Sequence, residues 1–193
     1  MADLVRAEVD GDRLEDEEVS WLAQSIFIAG HETTTSSIGN GMASLAAHPD
    51  ERRKLSENPG LIPDAFEEML RLDSPAQGFH RSLTRPVELH GKRMEAGDSV
   101  VILPGAANRD ERVFSDPDRL DVERRPRQHL AFGQGVHYCI GAPLSRLENR
   151  IVFEMLLDRF PEWTIDWQES ERSFAGRFML RGYARLRTHL SGH

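Results

Sequence analysis

Apolar and polar positions follow two rhythms along this chain. From Asp16 to about Ala47 apolar residues recur at helical spacing, with Val19, Leu22 and Ile26 on one face, and Asp16, Glu17 and Glu18 supply the negative charge that suits a helix N-terminus. The pattern predicts one long helix that stops before His48-Pro49. A shorter helix is predicted from about Pro63 to Leu72, where Pro63 fits the first turn, Phe66, Met69 and Leu70 form the apolar face, and Ser74-Pro75 ends the run. In "RPVELHGKRMEAGDSVVIL" short β-rich pieces are separated by turn signals at His90-Gly91 and Ala96-Gly97-Asp98, which predicts a small antiparallel meander. A third helix is predicted after Cys139, with Leu144, Leu147, Ile151 and Met155 as its stripe and Pro161 as its end. The remainder, "EWTIDWQESERSFAGRFMLRGYARLRTHL", suggests short strands and turns. The chain reads as mainly α with small antiparallel β-sheets, and no repeat or linker divides it.

One stretch has neither rhythm. "NRDERVFSDPDRLDVERRPRQH" carries many charges and two prolines, and an irregular segment this long in a compact domain is either functional or packed by its own side chains.

Composition narrows the class. With 39% hydrophobic and 29% charged residues in 193, the chain is ordinary globular protein. Its longest apolar runs, around "WLAQSIFIAG" and "VVILPGAA", fall short of the roughly 18 residues of a membrane span, and no basic, apolar leader opens it, so neither anchor nor signal peptide is expected. A net charge of −8 disfavours nucleic acid as a partner. A single cysteine rules out an internal disulfide, which points to a reducing compartment and a cytoplasmic location.

That cysteine lies in "FGQGVHYCIG", Phe132 to Gly141. Pro143 is tolerated only near a helix start, so the thiol belongs at a helix N-terminus, where the dipole and free N–H groups favour negative charge. Gly133, Gly135 and Gly141 let the backbone turn tightly and approach a flat partner. Zinc needs three or four protein ligands that the sequence does not supply; a cysteine nucleophile wants a base, for which His137 is the near candidate; haem iron needs one protein ligand, and a thiolate suffices. An inert buried thiol in a glycine-rich turn is the plainest alternative.

The stretch resembles the ligand loop of the cytochrome P450 superfamily, the haem-thiolate monooxygenases, especially soluble bacterial members. Their pattern F-G-x-G-x-H-x-C-x-G is met at every fixed position by Phe132, Gly133, Gly135, His137, Cys139 and Gly141, and "APLSRLE" is similar to the family's "APLARLE" with Ser145 in place of alanine. The resemblance implies the C-terminal portion of the P450 fold and a haem b (heme) iron with Cys139 as axial ligand. It also implies Phe132 packed against the loop and His137 bonded to a haem propionate.

The first helix carries "AGHETTT", Ala29 to Thr35, in which Gly30 and three consecutive threonines are weak helix formers. Read from residues alone, this is either a small-residue patch for close helix packing or a weakened turn whose loose carbonyls accommodate a small ligand and water. The resemblance selects the second reading. It implies that Glu32 and Thr33 form the acid-alcohol pair opposite the cysteine, with Thr33 hydrogen-bonding dioxygen and Glu32 relaying protons.

"EEMLR" places either Glu67 or Glu68 within helical reach of Arg71. The family's E-x-x-R selects Glu68 with Arg71, joined by Arg119 of "DPDRL" in a structural trio. The resemblance also implies that Arg81 pairs with a propionate. It places the substrate along Ala29, Gly30, the Gln77–His80 segment including Phe79, and Phe178 and Met179.

Arg124, Arg125, Arg127, Arg146 and Arg150 flank the ligand loop. Such a run usually marks a solvated face; the resemblance implies a docking patch for a ferredoxin-like electron donor, through which NAD(P)H acts indirectly on a small-molecule substrate and O2. Family members are roughly double this length. The expectation is therefore the C-terminal haem-binding half alone, over 1–193, a truncated chain that leaves Trp21, Phe27 and Ile28 uncovered and prone to self-association.

Overall fold

A computed structural model of the chain describes residues 5–173 and 179–192. The long predicted helix is α1, Asp16–Ala47, and its start is chemically defined: the Glu18 carboxylate accepts the Glu15 N–H at 2.9 Å in a capping box. α2 (Pro49–Glu57), α3 (Ile62–Leu72), the one-turn α4 (Pro104–Ala107) and α5 (Ala142–Arg159) follow. Apart from Val19, the buried residues of α1 lie in its C-terminal half, from Ser37 to Leu45, where Met69 of α3 and Asn149 and Phe153 of α5 meet it.

One core forms where the helices meet. Phe66, Met69 and Leu70 of α3 are buried as their spacing predicts, and join Leu45, Leu55, Phe153, Leu157 and Trp163 in a continuous cluster. Burial of side chains this size stabilises by roughly 1.5–3 kcal/mol each. Gly41 sets the closeness of the helices: a Cβ there would lie 2.6 Å from Cζ of Phe153 and 3.1 Å from Sδ of Met69.

The predicted stripe of α5 is corrected. Leu144, Leu147, Ile151 and Met155 are all exposed, and the helix instead buries Ala142, Asn149, Phe153 and Leu157. The helix has two apolar faces, and the one with Phe153 meets α1 and α3.

The sheets are five two-stranded antiparallel ladders among the described residues. β1 (Glu8–Val9) pairs β2 (Asp12–Arg13); β4 (Val87–Leu89) pairs β5 (Lys92–Met94); β3 (Phe79–Ser82) pairs β6 (Ser99–Ile102). Near the C-terminus β7 (Glu162–Ile165) pairs β10 (Thr188–Ser191), and β8 (Glu171–Ser173) pairs β9 (Gly182–Arg185). The expected meander is thus a hairpin nested inside a wider pair. His90 and Gly91, at φ 49° and 71°, make the tight two-residue turn between β4 and β5. The second turn does not fold β6 back onto β5: Gly97 N–H bonds the Leu83 carbonyl and Leu83 N–H that of Asp98, which extends the β3–β6 ladder.

The irregular segment is anchored on the helices: Leu120 and Val122 belong to the main core, and the Arg71 guanidinium lies over the Phe114 ring. Phe114, Leu120 and Val122 are buried within it. Among the described residues, no helix is long and apolar enough to cross a membrane.

Candidate functional site: the cysteine loop and its anchors

The loop from Phe132 to Gly141 is a tight, glycine-shaped turn. Cys139 N–H donates to the Phe132 carbonyl at 2.8 Å, and Tyr138 N–H to that of Gly135 at 3.0 Å. Gly133 and Gly135 take φ of 73° and 67°, a region where a Cβ is strained. α5 begins three residues after the cysteine, with Pro143 in its first turn as the sequence predicts. The Cys139 thiol is exposed rather than packed away, flanked by Val136 and Ile140 at 98% and 94% exposure.

Across the segment of α1 that carries the acid-alcohol pair, the helix is unbroken. Glu32 and Thr33 are half-buried, and Ala29 and Gly30 are exposed. The expected loose carbonyls are corrected: Thr33 Oγ1 donates to the Ala29 carbonyl at 2.7 Å and Thr35 Oγ1 to that of His31 at 2.8 Å. At Gly30 a Cβ would meet nothing within 4 Å among the described residues.

These residues fit a haem. Among the described residues no group of three His, Cys, Asp or Glu could hold a metal ion, so iron at Cys139 requires a ligand that brings its own donors. Side chains are missing at Gly135 and Gly30, where each would project into open space. Of the expected propionate partners, His137 is exposed on the loop, while Arg81 is half-buried on β3 with Nη1 donating to the His80 carbonyl at 2.8 Å. Phe79 is exposed beside the Arg81 guanidinium, and Met179 packs its sulfur against Gly78, so the two predicted substrate segments adjoin. Phe178 lies outside the described residues.

The structural trio keeps two of its members. Glu68 and Arg71, both fully buried, form a bidentate pair at 2.7 and 2.9 Å. The third member is Arg124, whose Nε donates to Glu68 Oε1 at 3.0 Å, whereas Arg119 contributes its backbone carbonyl to Arg71. The segment curls so that Arg124 also donates to the Ser115 and Asp116 carbonyls, which brings it inward past Arg119.

Glu67 does not compete for Arg71. It accepts from His129 Nε2 at 2.7 Å and from Arg146 Nε and Nη2 at 2.6 and 3.1 Å. Burial pushes its carboxyl up, but the bonds from His129 and Arg146 reverse that and hold it at about 2. The same pairing raises the Arg146 guanidinium further above its ordinary value. Sequence reasoning missed His129 and Tyr138; the doubled acid of "EEMLR" was the available signal.

The basic patch is thinner than its sequence suggests. Arg124 is tied to Glu68 and Arg146 to Glu67; Arg125, Arg127 and Arg150 remain exposed, with Arg125 3.1 Å from Asp64 and Arg150 2.7 Å from Glu154. Of these arginines, Arg125, Arg127 and Arg146 line a cleft of about 340 Å³ beside the loop, together with His129 and Tyr138.

The family description "Cytochrome P450" matches residues 1–59 and 60–181. The chain belongs to the cytochrome P450 family. It is 42% identical over 185 residues to cytochrome P450 monooxygenase PikC of Streptomyces venezuelae, covering 95% of this chain and 44% of that protein. It is 41% identical over 184 residues to a vitamin D(3) 25-hydroxylase of Pseudonocardia autotrophica, with 95% and 46% covered. Among solved structures, the cytochrome P450 CYP109Q5 from Chondromyces apiculatus superposes with a TM-score of 0.93 at 41% identity, over 100% of this chain and 49% of that one. Substrate-free CYP109E1 from Bacillus megaterium gives 0.94 at 35% identity, over 100% and 50%. The chain therefore spans about half the length of its P450 relatives.

Proposed function

We propose that this chain is the C-terminal, haem-binding half of a cytochrome P450 monooxygenase, one folded unit over residues 1–193, with Cys139 as the axial thiolate. The observation that carries this reading is the exposed thiol on a tight, glycine-shaped loop just before α5, with every fixed position of the family motif present. Bound haem would supply the redox chemistry, in which a substrate C–H, dioxygen, two electrons and two protons give C–OH and water.

The chain's own groups have separable tasks. Phe132 and Gly141 shape the loop; with haem bound, Val136 and Ile140 would supply apolar contact and Arg81 and His137 would hold the propionates. Thr33 presents a hydroxyl and Glu32 a carboxylate on α1, to hydrogen-bond and to move protons. Ala29, Gly30, Phe79 and Met179 line the space for a small organic substrate. Arg125, Arg127 and Arg150 receive an acidic ferredoxin-like donor, which makes the rate of reduction fall with ionic strength.

A second reading has its own observation. Trp21, Phe27 and Ile28 of α1 stand 62%, 74% and 58% exposed, an apolar face that favours association. On this reading the chain binds haem without turnover until that face is covered. The test is the absorption spectrum of the reduced, haem-loaded chain with carbon monoxide, before and after Cys139→Ala. A strongly red-shifted Soret band that the substitution abolishes supports ligation; an unchanged band overturns it. Product analysis with a supplied electron source then separates oxygenase from binder.

A further inference from the structure

Tyr138 stands at a position that the ligand-loop motif leaves open, yet the structure gives it a specific partner. Arg146 Nη1 donates to the Tyr138 hydroxyl at 3.1 Å while the rest of the same guanidinium grips Glu67 and lies 4.6 Å from the centroid of the Phe132 ring. Phe132 accepts the Cys139 N–H that closes the turn, and Tyr138 immediately precedes that cysteine. One arginine of α5 thus touches both residues and fastens them to α3. His129 completes the arrangement: its Nε2 meets Glu67 and its Nδ1 accepts the Ala131 N–H at 3.2 Å, just ahead of the loop.

We propose that Glu67, Arg146 and Tyr138 are positioning residues, a clamp that fixes the direction in which the Cys139 sulfur is presented. This rests on the haem-thiolate reading and adds to it. The geometry gives Arg146 more than a surface charge to do: the side chain is committed to a carboxylate by two bonds, to a phenol by a third and to an aromatic face. A bidentate guanidinium–carboxylate pair fixes orientation as well as distance, which a lysine could not do at this site. The clamp is also independent of the Glu68 network, which holds the irregular segment rather than the loop.

The test compares the full chain with Glu67→Gln, Arg146→Lys and Tyr138→Phe by amide hydrogen exchange, and by the reduced carbon monoxide spectrum after haem loading. Exchange at Tyr138 and Cys139 should quicken on the order of tenfold in Glu67→Gln and less in Tyr138→Phe, with residues 37–45 of α1 unchanged. In the same variants the red-shifted Soret band should lose share to a band at shorter wavelength, and Arg146→Lys should lose it too although it keeps the positive charge. Tyr138→Phe deletes one hydroxyl, so it keeps the test sound if Glu67→Gln unfolds. Unchanged exchange in the loop, or an equal rise in α1, overturns the clamp; so does an unchanged band ratio in the variants. A wild-type chain with no red-shifted band counts against the haem-thiolate reading instead, and the exchange result still decides whether the clamp exists.

Discussion

Glu67 and Glu68 are adjacent, but successive residues of a helix point about 100° apart, so one faces the buried arginines and the other the ligand loop. The burdens differ accordingly. Removing one member of a fully buried ion pair strands the other, so Arg71→Ala should cost roughly 3–5 kcal/mol, read from the urea midpoint. Glu67 should show itself through pH. Its carboxyl is held at about 2 against an ordinary 4.5, so its contribution to stability is complete above pH 4.5 and is lost as pH falls toward 2. In acid titrations followed by tryptophan fluorescence, Glu67→Gln should flatten the change across that window. Asp110, held at about 2 by Arg112 on the exposed surface, stays as a shared background in both proteins. The cysteine motif and the E-x-x-R pair were readable from residues close in sequence. Arg124, His129 and Arg146 were not, because their acids lie 56, 62 and 79 positions away and nothing periodic links them.

At the level of elements, two glycines of α1 sit in opposite surroundings. Gly41 lies under the Phe153 ring, so Gly41→Ala should destabilise by roughly 1–3 kcal/mol through overpacking, although alanine is the better helix former. Gly30 faces open space, so Gly30→Ala should stabilise the helix by up to about 1 kcal/mol, while a haem lying over it would lose clearance. Paired thermal melts and haem titrations check both signs. The bounds of α1 were legible because charge, capping and proline are local signals. Strand pairing was less so: the turn at Gly97 is visible in sequence, but its bonding to Leu83 instead of to β5 is a long-range choice. The face of α5 was misread for a related reason, since two apolar stripes share the helix and only tertiary packing selects one.

Across the whole molecule, apolar side chains stand open on two helices, Trp21, Phe27 and Ile28 on α1 and Leu144, Leu147 and Ile151 on α5. Sedimentation velocity should show association that grows with protein concentration and weakens in Phe27→Ser. The core that holds these helices is complete without those faces, which is why a chain spanning half of its relatives still forms one continuous cluster. The exposed sulfur adds a practical consequence. With one cysteine per chain, a maleimide or disulfide dye labels each molecule at most once, at Cys139, with no competing thiol to mask. On the haem-thiolate reading, unlabelled protein in a haem-treated sample counts filled sites directly by mass, chain by chain, without reliance on an extinction coefficient.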